Sequence, residues 1–179
     1  MVRTVVLAIL VLLSPALLAV DSNNPPVFPK ASGSNLEKRK FELPRDFEGE
    51  SNLVIIAFER EQQHDVDAWV TAGRGIERTD PAFRYYELAA LSRSNPLLRW
   101  WLDSAMRSGI SDRSVRERTI TLYLDKRSFK EKLHISGEGT IRALLVRKDG
   151  IVVWQSEGVV TEAKLEALRL AIKAIQPAR

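Results

Sequence analysis

The chain has 179 residues, 45% of them apolar and 28% charged, which suits one soluble domain with a sizeable hydrophobic core. A formal charge of +4 without a dense Lys/Arg block gives no nucleic-acid footprint. Cysteine is absent, which excludes disulfides, thiolate nucleophiles and cysteine zinc sites, and with only His64 and His134 a metal centre would have to draw on carboxylates.

Met1-Val2-Arg3 is a short positive lead into the apolar run of residues 5–13, which Ser14-Pro15 breaks before Ala16-Leu17-Leu18-Ala19. A bilayer-spanning helix needs about 20 apolar residues. Residues 1–19 therefore read as a cleaved signal peptide, with an uncleaved membrane anchor as the alternative. Residues 20–40 begin rich in Asn, Pro and Ser without apolar periodicity and read as a flexible tether, so the folded domain is expected over residues 41–179.

Within it, Leu53-Val54-Ile55-Ile56-Ala57-Phe58 is a continuous apolar run, the pattern of a strand buried on both faces. Gly49 and Asn52 mark the turn before it. Val66, Trp69, Val70, Gly73 and Ile76 share one face of a helix expected from His64 to about Arg78. A strand over residues 83–89 sends Tyr85 and Tyr86 to opposite faces. Asn95 as N-cap and Pro96 at the first position open a helix to Ser108, closed by Gly109. A strand over 119–124 and a short helix over 127–133 follow. Residues 142–147 and 151–155 form a hairpin about Lys148-Asp149-Gly150, and Thr161 caps a last helix with Leu165, Leu168, Ile172 and Ile175 on its apolar face. Alternating strands and helices ending in an antiparallel hairpin predict an α/β sandwich with a mixed central sheet.

That order, with three local stretches, resembles the thioredoxin-like superfamily in its peroxiredoxin and thiol-disulfide-oxidoreductase branch. The stretches are Phe41-Glu42-Leu43-Pro44 with Asp46 to Gly49 and the strand to Phe58; Thr119 to Asp125 through Phe129 to Ile135; and Ile141 to Trp154 with Asp149-Gly150 at the turn. The resemblance implies a three-layer sandwich, with a helical insertion over about 91–118 before the third strand. It places Gln62 and Asp65, within Glu61-Gln62-Gln63-His64-Asp65, where the family carries Cys-x-x-Cys, and Arg142 where it carries a cis-proline. A trans peptide is expected there, since only X-Pro tolerates the cis form cheaply. Leu98-Arg99-Trp100-Trp101 through Gly109-Ile110 and on to Tyr123 is also similar, more weakly, to thioredoxin-like ATP synthase assembly factors.

The candidate site is therefore a rebuilt redox corner. Glu59, Glu61, Asp65 and Asp67 at a helix start offset its dipole and supply caps; alternatively His64 is a general base oriented by Glu61 or Asp65. Arg142 is expected beside this loop, either closing it with a salt bridge or offering a fork to an anion. Stepping 100° per residue puts Leu97, Leu98, Trp101, Leu102 and Ala105 in one arc and Trp100 outside it, between Ser104 and Arg107. Trp100 with Arg107 is thus a candidate partner anchor, alongside Glu61, Gln63 and His64; the alternative for Trp100 is that it folds back over the core edge or under the following loop. The expected function is a redox-inactive protein-binding or assembly module exported from the cytoplasm. A non-thiol enzyme or small-anion binder at Glu61, His64 and Arg142 is the alternative. No catalytic residue, cofactor, metal or nucleic-acid partner is expected; another protein is, with peripheral membrane contact as a further option.

Overall fold

The structure is a computed structural model that describes residues 25–92 and 110–175. Strands β1 (Ala31–Asn35), β2 (Lys40–Leu43), β3 (Ser51–Ala57), β4 (Phe83–Ser92), β5 (Thr119–Leu124), β6 (Arg142–Arg147) and β7 (Val152–Glu157) form one sheet in the order β2-β1-β5-β4-β3-β6-β7. The middle strands β3, β4 and β5 run parallel, with Leu53 opposite Tyr85 and Leu88 opposite Ile120; β6 and β7 and the β1–β2 hairpin run antiparallel. Helices α1 (Gln63–Glu77) and α4 (Glu162–Ile175) cover one face. Helix α3 (Lys126–Lys132) covers the other, and α2 (Arg113–Arg118) leads into β5. The three-layer α/β sandwich expected from the sequence is the fold observed.

Alternation divides the core. Val54, Ile56, Tyr86, Leu88, Ile120 and Leu122 pack with Phe28, Phe41, Phe47 and Phe129 on one side of the sheet. Leu53, Ile55, Phe83 and Tyr85 pack on the other with Val66 and Trp69 of α1 and Leu168 and Ile172 of α4. Tyr85 and Tyr86 do point to opposite faces. Local chemistry fixes the element ends. Asn52 binds Gly49 through both its carbonyl and its amide group, at 2.9 and 2.8 Å. The Asp125 carboxylate caps α3 on the Arg127 and Ser128 amides. At the far end of α3, Ile135 N–H bonds Lys130 C=O and His134 N–H bonds Glu131 C=O. With His134 left-handed at φ 55°, this is a Schellman stop, so His134 has a structural role.

The expected tether is corrected over its described part. Val27 bridges Ile151, Phe28 is buried against Phe47 and Phe129, and residues 31–43 form the β1–β2 hairpin. The small polar residues that suggest a linker are here a packing device. A Cβ on Gly33 would lie 2.4 Å from the Thr121 carbonyl, so glycine permits β1 to lie on β5. Asn35 accepts from the Glu37 and Arg39 amides and donates to the Glu117 carbonyl, building the turn that a flexible linker would lack. The folded part thus reaches back at least to Pro26, rather than beginning near Phe41. The expected signal segment and the helix expected over 95–108, with Trp100 and Arg107, lie outside the described residues.

Candidate functional site

Strand β3 delivers the chain to the corner where the candidate residues lie. Buried on both faces, it ends at Ala57 and passes through Phe58 and Glu59 into a 3₁₀ turn, Arg60–Gln62, which runs straight into α1. Gln62 is the buried member of this turn. Its Oε1 accepts from the Phe58 amide at 2.9 Å and the Glu59 amide at 3.4 Å, and its Nε2 donates to the Glu138 carbonyl at 2.5 Å. One neutral side chain thus satisfies the end of β3 and holds it to the loop that precedes β6.

That loop is held from its other side by charge. The Glu138 carboxylate accepts from Lys126 Nζ at 2.6 Å and pairs with Lys130 Nζ at 2.8 Å. Lys126 first and Lys130 second hold this carboxyl below the usual range. Helix α3, the 136–141 loop and the start of α1 are therefore one bonded unit.

Arg142 opens β6 opposite Ile56 of β3 and Glu157 of β7, through a trans peptide. Its guanidinium pairs with the Glu157 carboxylate, and burial lowers its pKa. The expected lock against the Glu61-to-Asp65 loop is thus corrected: among the described residues no ion pair joins Arg142 to Glu61 or Asp65. The cross-strand register puts a carboxylate directly beside the arginine, and that nearer partner wins. Arg142 Nε is buried without a partner.

Asp65 is half-buried on the first turn of α1 and faces the field of Lys164, whose pKa burial lowers and Asp65 raises. Lys164 Nζ in turn donates to the Glu157 and Val159 carbonyls at 2.6 and 2.7 Å. Glu61, Gln63 and His64 are exposed, and Gln63 donates to Asp67 at 2.9 Å. The structure therefore brings Gln62, Glu138, Lys126 and Lys130 together in one set, and Arg142, Glu157 and Lys164 in a second. It does not join Glu61, His64 and Arg142 by any hydrogen bond or ion pair, as a general-base site would need. Among the described residues no group of three or more His, Asp or Glu is placed to hold a metal.

Glu138, Glu157 and Lys164 are the functional-corner residues that sequence reasoning missed. Lys126 and Lys130 carried a signal, since a spacing of four puts them on one helix face. Glu87 was missed as well: in the middle of β4 it accepts from Thr119 Oγ1 at 3.1 Å, and burial pushes its carboxyl up, with Asp67 adding to the rise.

A second polar cluster occupies the opposite end of the parallel strands. Arg118 bonds Glu48 at 3.0 Å and Glu77 at 3.2 Å, and lies 5.3 Å above the Tyr86 ring. Arg39 and Arg84 extend the chain of pairs to Glu48 and Glu77. Hollows of about 290 and 310 Å³ flank Arg118 on its two sides.

No protein-family model and no curated protein matches the sequence. Solved structures do. The thioredoxin domain of a thiol-disulfide oxidoreductase from Bacteroides vulgatus is 17% identical, with TM-score 0.55 over 84% of this chain and 96% of that one. The exposed lipoprotein thioredoxin of Streptococcus pneumoniae is 9% identical, with TM-score 0.52 over 82% and 99%. BsSco, of the Sco family of cytochrome c oxidase assembly proteins, is 11% identical, with TM-score 0.54 over 83% and 95%. The fold is thioredoxin-like, carried by a chain without a single cysteine.

Proposed function

We propose that this chain is an exported, redox-inactive thioredoxin-like protein that binds another protein as an assembly or chaperone module. The observation that carries the reading is Gln62. At a position the resemblance assigns to a thiol stands a neutral amide whose oxygen and nitrogen are both spent on the chain's own backbone. A side chain used in this way holds shape and offers no chemistry to a substrate, while Glu61, Gln63 and His64 beside it remain exposed for contact.

Two further points support the reading. BsSco, described as belonging to a family of assembly proteins, shares the fold. The apolar residues 5–13 behind Arg3 supply the export signal.

The test is affinity capture of the tagged chain from its native envelope, with and without dithiothreitol, beside an insulin-reduction assay. The same partner in both captures and an insulin rate equal to background are expected. A partner lost on reduction would mean that capture depends on disulfides, and insulin turnover above background would overturn the reading.

A further inference from the structure

At the end of the parallel strands away from Gln62, a hollow of about 290 Å³ lies between the last turns of α1 and helix α2. Tyr85 of β4 lines it from the sheet. A Cβ on Gly73 would lie 2.9 Å from the Tyr85 Cβ and 3.2 Å from its Cγ, so glycine lets α1 settle directly on this side chain. The tyrosine is thereby clamped between helix and sheet, with 2% of it exposed. Its hydroxyl stands in the field of Arg74, Glu77 and Arg118, which line the same hollow. Burial raises the hydroxyl's pKa, so it keeps its proton at neutral pH and is a hydrogen-bond donor. Among the described residues it has no acceptor.

Charge adds an independent argument. Three arginines line the hollow against two carboxylates, Glu77 and Glu117. Both carboxylates are also held by arginines from outside it, Glu77 by Arg84 at 3.6 Å and Glu117 by Arg113 at 3.0 Å. Arg74 pairs with Asp112 at 3.1 Å, and Arg118 is engaged by Glu48 and Glu77. Arg78, the exposed C-cap of α1, pairs with no carboxylate among the described residues. Cations at a helix C-terminus offset its dipole, which accounts for Arg74 and Arg78 standing on that turn. It does not account for a buried phenol donor without an acceptor beside them.

We propose that this hollow is an oxyanion site, which takes the carboxylate or phosphate group of a small molecule on the Arg78 guanidinium and the Tyr85 hydroxyl. These two groups supply the free donors, while Arg74 and Arg118 add positive field. The planar arginine fork meets either headgroup through two parallel hydrogen bonds. The volume is at the lower end of small-molecule sites, which suits a compact anion. The site is at the opposite end of the strands from Glu61 and His64, so it stands or falls independently of the partner-binding reading.

The test follows backbone amide signals of the isotope-labelled full chain by two-dimensional NMR. Inorganic phosphate and, separately, succinate are titrated in at an ionic strength held constant with sodium chloride. Saturable shifts confined to residues 74–78 and 114–118 are expected with at least one probe, and the probe that saturates distinguishes a phosphate from a carboxylate ligand. Arg78→Gln is expected to weaken that binding about five-fold, and Tyr85→Phe about two-fold. Arg127→Gln, at an exposed arginine of α3 across the sheet, should leave it unchanged. Neither Arg78 nor the Tyr85 hydroxyl has a side-chain partner to lose among the described residues, so thermal melts of the two variants should stay at the wild-type value. Shifts that remain linear with both probes, or binding that either variant leaves intact, overturn the proposal.

Discussion

The Gln62 side chain joins the end of β3 to the loop before β6, donating to the Glu138 carbonyl while accepting from the Phe58 amide. Truncation to alanine strands a buried amide and a carbonyl at once. A loss of about 1–3 kcal/mol is expected for Gln62→Ala, measured by urea denaturation. Gln62→Glu keeps the acceptor but replaces the donor with an oxygen facing the Glu138 carbonyl, so it is expected to be at least as destabilising at neutral pH. A neutral outcome for both would show that the corner is not closed by this bond.

Arg142 and Glu157 form an asymmetric pair. The arginine side chain is 9% exposed and the carboxylate 52%. Removing the glutamate leaves a buried cation without its counter-ion, whereas removing the arginine leaves a carboxylate that water can solvate. Glu157→Ala is therefore expected to lower stability by about 1–3 kcal/mol, and Arg142→Met by less than about 1 kcal/mol. The same denaturation series reads both, and a larger loss for Arg142→Met contradicts the account.

Glu87 sets a pH dependence. Burial raises its pKa above the ordinary value of 4.5. The folded state then binds the proton more tightly than the unfolded chain, so its contribution is fully present below the unfolded pKa. It is lost as pH rises through the folded pKa, and above that point the buried charge is a standing cost. Wild type minus Glu87→Gln stability, followed by thermal melts from pH 4 to pH 8, is expected to decline with rising pH. A flat difference would mean that the carboxyl is not desolvated.

Gly33 tests the N-terminal hairpin. A methyl group there meets the Thr121 carbonyl at 2.4 Å and a Leu122 methyl at 2.7 Å, both on β5. Gly33→Val should cost about 1–3 kcal/mol by overpacking. Were residues 20–40 a tether, the substitution would be silent in a thermal melt.

The central sheet and its helices were legible because they obey periodicity: the run from Leu53 to Phe58 and the spacing of Val66, Trp69, Val70 and Gly73 admit few other readings. The β1–β2 hairpin was not legible. Ser32, Gly33, Ser34 and Asn35 look like linker composition, and only their contact with β5, some 85 residues away in sequence, makes them a strand. The corner was legible by position but not by partner. The resemblance singled out Gln62, Asp65 and Arg142, which lie at the start of α1 and of β6, while Glu138 and Glu157 depend on which loop and which strand lie alongside. Long-range pairing of this kind leaves no local pattern to read.

The account's central claim is that the corner carrying Glu61, Gln63 and His64 is a non-covalent contact surface. The most direct measurement puts a photo-crosslinking amino acid at Glu61, at His64 and, as a control, at Lys40 beyond the β1–β2 turn, and irradiates the native envelope. A discrete protein adduct from 61 and 64, unchanged by dithiothreitol and absent from 40, is predicted. No adduct at the corner, or equal yields at all three positions, would contradict it.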